Sequence, residues 1–458
     1  MAEKHADVAV LGGGLAGSLA AWIAARSGRR VVLLRRGGAA TAVSSGALDL
    51  VADPDTTSAT PLPNETGLEV LVEREIARNP AHLFSLLTSR SESPGQRAGR
   101  LLTAFSLARR ALEDCTGLPF AGDGRQNLIA VTQAGTLKQT ALLQASMELP
   151  EGDVLKRKRV GFCGIRGIPG WDGERAAQVF GHLMSAYNPP RVRGFDIELD
   201  ESTGYNANAL GCASLLEDSG MFDRVIEKIR VGVGSATFDI LVVPPVFGFM
   251  RAAESVRRAG EKLGCRVAES VSSVPSVPGV RLQLALDRAL SAAGVETIHC
   301  DIVKGEIGGG VVSGVAVRKN PGEPEEVIRA NDFVLATGKF AGGGMIREKR
   351  LRESVFGLPV FLDGREILSR QPEELFSRAP EGPHPAFRAG VAVGPDLRPL
   401  DGRCQMVARN LVACGNILSG YDYLRGGTGL GAALLTGYLA GEQLAAGKQQ
   451  EGKQAIGR

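Results

Sequence analysis

The chain has 458 residues, 44% of them hydrophobic and 22% charged, with a formal net charge of +3. That length supports two or three domains, and so small a charge excludes a dense basic nucleic-acid surface. No apolar run reaches the roughly eighteen residues of a membrane span, no leader precedes the first strand pattern, and seven scattered cysteines contain no CxxC, so a cytoplasmic protein without a zinc or iron–sulfur ligand set is expected.

The first strand pattern is Asp7 to Leu11. Gly12-Gly13-Gly14-Leu15-Ala16-Gly17 follows at once, an apolar segment runs to Ser27-Gly28, and Arg30 to Leu34 reads as a second strand. This is a βαβ unit with G-x-G-x-x-G at its first turn. Gly12 permits the tight turn, Gly14 exposes backbone amides to a phosphate, and Gly17 lets the helix press on the sheet. Residues 12–17 are therefore expected to hold a nucleotide cofactor at a helix N-terminus. The second strand ends in Arg35, where such units carry an acid that binds a ribose. A cation cannot accept a bond from a sugar. It suits a phosphate, or it is a solvated strand end.

Ser44, Ser45 and Gly46 form a small polar loop expected to line a cofactor channel. Residues 52–64 read as an exposed linker, and 66–78, 80–88 and 97–116 carry helical spacing. Asn127–Val131 and Gly135–Thr140 read as a hairpin, which places Thr136 among the cofactor candidates. Composition shifts at Glu151–Arg159, where Lys156 to Arg159 is a basic run of the kind that usually serves as a solvated connector. Beyond it a fresh α/β pattern appears. Its strands are expected at 160–165, 192–199 and 240–246, and its helices at 173–187, 208–217, 221–230 and 250–264.

Ser273–Gly279 reads as a hinge, followed by a helix at 281–293 and a strand at 295–300. Val311–Arg318 and Glu326–Ile328 form a hairpin across Asn320-Pro321-Gly322. The next strand ends in Ala336-Thr337-Gly338, with Gly342–Gly344 close behind and a charged excursion over 345–383. Near the C-terminus, a buried strand runs into Gly415-Asn416, and Gly426-Gly427-Thr428-Gly429 opens a helix to about 445. Gly429, Ala433, Gly437 and Gly441 fall on one face of that helix. The expected fold class is α/β: a Rossmann-like domain with a parallel sheet, made of residues 1–150 and 273–458, plus a smaller inserted α/β domain at 151–272.

The turn at 12–17, the Ala-Thr-Gly after a hairpin and the C-terminal strand–glycine–helix together resemble the fumarate-reductase-like class of flavoproteins. Ser44–Leu50, Gly135–Lys138, Pro278–Gln283 and Leu397–Pro399 narrow the resemblance to the anaerobic glycerol-3-phosphate dehydrogenase B subunits, over nearly the whole chain. The resemblance implies a flavin, FMN in that family. It also implies a partner flavoprotein subunit, a membrane-anchoring iron–sulfur subunit and a place on the cytoplasmic face of the inner membrane. The implied reaction oxidises sn-glycerol 3-phosphate to dihydroxyacetone phosphate and passes electrons to quinone.

Both sugar-holding acids of FAD proteins are replaced, by Arg35 and by Asn416, which favours FMN. FAD is the alternative, since the turn itself suits a pyrophosphate. For catalysis His384 is the expected base, and Arg281 and Arg352 are the expected phosphate ligands. No acid–base pair stands out. That silence opens a second reading, a flavin electron relay or assembly subunit. Arg35 as a 2′-phosphate ligand would open a third, an NADPH-dependent flavin reductase.

Overall fold

The computed structural model describes residues 3–53, 66–150, 155, 157–187, 191–199, 208–368, 373, 375–379, 382 and 384–456, with the side chains of 448–456 excepted. The expected linker lies outside them from Pro54 onward, as does Lys156 of the basic run. The chain divides into two compact units: Met1–Ala40, Glu69–Gly117 and Leu286–Arg458 form the first, and Thr41–Leu68 and Leu118–Ala285 the second.

The first unit is built on a seven-stranded sheet. Strand β1 (Glu3–Leu11), helix α1 (Leu15–Arg26) and strand β2 (Val31–Arg35) are the expected βαβ unit, with β1 and β2 parallel. Val8 to Leu11 are fully buried, as a strand covered on both faces requires. Glu326–Leu335 runs parallel to β1 on its other side, with Leu11 opposite Leu335. The two strands therefore end side by side where the direction of chain progression reverses, which is where α/β sheets bind ligands. The far edge of Glu326–Leu335 is shared. Its first part pairs antiparallel with Val311–Arg318, and its last three residues pair parallel with Leu411–Ala413.

Three elements of this unit differ from expectation. Asp301–Gly308 is an eight-residue strand that no apolar alternation announced, because its side chains are only half-buried or exposed. The helix expected at 97–116 begins earlier, at Pro94. Ser93 accepts from Gln96 N at 3.3 Å and Gln96 Oε1 accepts from Ser93 N at 3.0 Å, a reciprocal cap that satisfies both donors. Of 80–88, only Leu83–Leu86 is helical.

The second unit holds a four-stranded parallel sheet in the order Arg266–Glu269, Ile240–Val243, Val160–Ile165, Val192–Ile197. Helices Gly173–Met184, Ala209–Leu215, Ser219–Val233 and Ala252–Leu263 follow the expected apolar spacing. The hairpin Leu128–Val131/Leu137–Thr140 is present, with Gly135 at φ +81° in its turn. It belongs to this unit rather than to the first. Val271 N donates to Val131 O and Gln133 N to Val271 O, both at 2.8 Å, which ties the hairpin to the end of the sheet. The unit that holds the domain expected at 151–272 also takes in Thr41–Leu68, residues 118–150 and those up to Ala285.

Candidate functional site

In the first unit the turn after β1 lies against the turn after Glu326–Leu335. Gly12 has φ +114°, and a Cβ there would fall 2.2 Å from Ala336 O. One on Gly17 would fall 2.1 Å from Gly12 O. Backbone meets backbone, so no larger residue fits at either position. Gly14 is the extended N-cap of α1, and no side chain caps the helix start. Leu15 and Ala16 are buried, and Ser18 Oγ donates to Gly13 O at 3.2 Å.

The C-terminal motif joins the same place. A Cβ on Gly437 would lie 2.6 Å from Ala16 Cα, and one on Gly415 would lie 2.8 Å from Ala16 Cβ. The near-bare face of helix Gly429–Ile456 thus seats directly on α1. Gly415 N donates to Thr436 Oγ1 at 2.9 Å, which ties the strand end to that helix. Tyr421 OH donates to Gly415 O at 3.3 Å and to Asn416 Oδ1 at 3.4 Å. Thr428 is buried, and its hydroxyl turns back to donate to Gly426 O at 3.1 Å. Gly427, at φ +57°, and Gly429 complete that turn.

The turns at 12–17 and 336–338 and the residues around Gly415 and Gly437 therefore meet. Thr337 Oγ1 is buried among them without a hydrogen-bond partner, beside Gly338 at φ +72°. A side-chain-free cradle with one unpaired hydroxyl fits a phosphate-bearing cofactor such as a flavin.

Arg35 corrects its expectation as a phosphate ligand. Its terminal nitrogens grip Asp287 at 2.6 and 3.2 Å, and its Cδ packs beneath Gly13. Arg281 corrects more sharply. It lies in the second unit, 1% exposed, and all three nitrogens are used. Nε donates to Gly248 O, Nη1 to Gln144, Ser146 and Glu269, and Nη2 to Glu269, at 2.9–3.1 Å. It is a core ion pair with no face left for a substrate. Arg352 sits on the small hairpin Met345–Arg347/Leu351–Glu353 and pairs with Glu348 at 2.5 Å on an exposed surface. Ser44, Ser45, Gly46 and Thr136 belong to the second unit. There Ser44 Oγ donates to Thr41 O, Ser45 Oγ accepts from Ala47 N, and Thr136 Oγ1 bonds Thr132 Oγ1. A Cβ on Gly46 would meet Pro278 Cβ at 2.5 Å.

His384 stands in the first unit within a line of rings. Its imidazole meets Phe387 edge-on at 5.4 Å, and Phe387 meets Tyr423 at 5.3 Å. Its Nδ1 accepts from Ser377 N at 3.1 Å. That bond occupies the Nδ1 lone pair, which a base acting through this nitrogen would need.

The sequence reading missed the residue at the other end of those rings. Lys339 follows Ala336-Thr337-Gly338 directly and is 2% exposed. Its Nζ donates to Phe387 O and lies 5.0 Å from the centre of the Tyr421 ring and 5.8 Å from that of Tyr423. Burial pulls its pKa down to about 7, against a smaller upward pull from Asp422. Burial also pushes the Tyr421 and Tyr423 phenols up. The available signal was a lysine set between Gly338 and the Gly342–Gly344 run, where a solvated side chain is hard to place.

A family model described as FAD binding domain matches residues 7–431. The anaerobic glycerol-3-phosphate dehydrogenase B subunit of Vibrio cholerae is 25% identical over 454 residues, covering 96% of this chain and 97% of that one. The probable anaerobic glycerol-3-phosphate dehydrogenase B subunit of Halobacterium salinarum is 30% identical over 329 residues, covering 69% and 73%. Among solved structures, the open conformation of a flavocytochrome c3 fumarate reductase is 12% identical with a TM-score of 0.43, covering 97% of this chain and 78% of that one.

Proposed function

The chain belongs to the FAD binding domain family and is a flavin-dependent oxidoreductase, and from that premise we propose that it is the B subunit of an anaerobic glycerol-3-phosphate dehydrogenase. The reaction is oxidation of sn-glycerol 3-phosphate to dihydroxyacetone phosphate, with electrons delivered to quinone through a partner flavoprotein subunit and an iron–sulfur subunit. Those partners would hold it at the cytoplasmic face of the inner membrane. No described helix is long and apolar enough to cross a membrane.

The observation that carries the flavin part is the backbone contact of Gly12 with Ala336 and of Gly17 with Gly12, closed behind by Gly415 and Gly437 on Ala16. Residues 12–17, Thr337, Gly338, Gly415, Asn416 and the 427–429 turn would hold the flavin, which supplies the two-electron acceptor. FAD is now the favoured form over FMN. The family model is that of an FAD-binding domain; of the two replacements behind the argument for FMN, Arg35 is engaged by Asp287, and Asn416 alone still stands for it. The NADPH-dependent reductase reading leaned on the same guanidinium and goes with it. Heat release and chromatography of the chromophore from the purified chain should give FAD. FMN would overturn that choice, and no flavin at all would overturn the site.

The relay reading keeps one observation in its favour: the two arginines expected to bind the substrate phosphate are engaged elsewhere. Anaerobic addition of glycerol 3-phosphate to the isolated holoprotein separates the two. Bleaching of the flavin at the rate of the complex supports catalysis here, and an unchanged spectrum supports the relay.

A further inference from the structure

We propose that Lys339 is the residue that takes the hydroxyl proton when the alcohol is oxidised, acting as a neutral amine; this rests on the catalytic reading above. The step balances. The O–H bond breaks and its proton goes to the Nζ lone pair. The C2–H bond breaks and its electron pair leaves with the hydrogen to the flavin as oxidant. The C2–O bond becomes a carbonyl, and the lysine ends as an ammonium.

The geometry supports both protonation states of that amine. The neutral form is favoured by the site, because Lys339 is 2% exposed and its Nζ has no carboxylate within ion-pair distance among the described residues. The ammonium, once formed, is received by Phe387 O and by the faces of Tyr421 and Tyr423. Position supports the role as well. Lys339 is two residues beyond Thr337, in the turn that touches Gly12, and Tyr421 links it to Gly415 and Asn416.

The other titratable groups facing it do not compete. Asp422 spends Oδ1 on Leu424 N and Arg425 N, at 2.9 and 3.1 Å. The two phenols are held neutral by burial. The Nδ1 lone pair of His384, one ring further out, is taken by Ser377 N. A lysine poised near neutrality matches what a general base needs at working pH.

The test uses the full-length holoprotein and three readouts. The first compares flavin reduction by glycerol 3-phosphate in wild type and Lys339→Met. The variant should keep its flavin and its reduction by dithionite, yet lose about 100-fold or more in rate. The second is the pH profile of kcat/KM, which should rise with a midpoint near 7 in wild type. That midpoint should move to lower pH in Asp422→Asn, because the carboxylate now supporting the ammonium is gone. The third needs no turnover. In protein carrying ¹³C-labelled lysine, the Cε resonance that Lys339→Met removes should titrate near 7, well below an ordinary lysine.

Wild-type inertness to glycerol 3-phosphate would overturn the catalytic reading and this inference together. An active wild type with an equally active Lys339→Met, an unmoved profile in Asp422→Asn, or a Lys339 resonance that titrates with the ordinary lysines would overturn the inference alone.

Discussion

Arg281 offers the sharpest test, because two roles for one residue predict opposite results. The guanidinium makes five hydrogen bonds in the interior of the second unit, two of them to Glu269. Replacing it with Met removes all five and leaves a carboxylate that is 2% exposed. That carboxylate is not stranded. Oε1 still accepts from Phe247 N at 3.0 Å and Oε2 from Ser146 Oγ at 2.7 Å. Breaking a buried pair by removing one partner costs about 3–5 kcal/mol, and the two surviving donors place Arg281→Met toward the lower end. At ~2–4 °C per kcal/mol for a unit of this size, the melting transition of that unit should fall by roughly 6–20 °C. The double variant Arg281→Met/Glu269→Leu should recover much of the loss, because no charge is then left in the core. Calorimetry or circular dichroism on the holoprotein reads the transition, with substrate kinetics in parallel. A transition that moves by less than about 1 kcal/mol while KM for glycerol 3-phosphate rises steeply would refute the core assignment and restore Arg281 as a phosphate ligand.

Gly12→Ala should cost about 1–2 kcal/mol from its positive φ alone, and more from the overlap with Ala336 O. Its flavin-to-protein ratio should collapse, while Gly38→Ala, with nothing within 4 Å, should keep its flavin. His82 caps helix Leu83–Leu86 by accepting from Phe84 N at 3.2 Å, and burial holds its pKa at about 4 against 6.5. The unfolded chain therefore takes up the proton first, so stability falls as pH drops through 6.5 and levels off near 4. Between pH 7 and 5 the loss is about 2 kcal/mol. His82→Asn keeps an acceptor at the cap without the titration, and denaturant melts at the two pH values should show a shallower pH dependence by that amount.

What the sequence made legible and what it hid divide along a physical line. The backbone contacts of the flavin cradle could be read because a missing side chain is written in the residue itself. A run of small residues at every fourth position on one helix face has few other uses, and Gly437 on Ala16 is one of its contacts. The partners of buried charges could not be read, because an ion pair forms across the fold and leaves no periodicity. Asp287 lies 252 residues from Arg35, and Glu269 lies on a strand that no sequence pattern announced. Strand Asp301–Gly308 escaped for a related reason: at the solvated edge of a sheet, apolar alternation is not required. Lys339 belongs to the same class as the hidden arginines, with one difference that bears on function. Arg281 is compensated by the carboxylate of Glu269, at 2.9 Å. Among the described residues Lys339 has a carbonyl and two ring faces against it and no carboxylate in bonding contact, so burial outweighs the pull of Asp422 and lowers its pKa to about 7. An amine enclosed beside the cofactor cradle with no bonded acid among the described residues is one whose proton burial loosens, which a merely structural cation does not need.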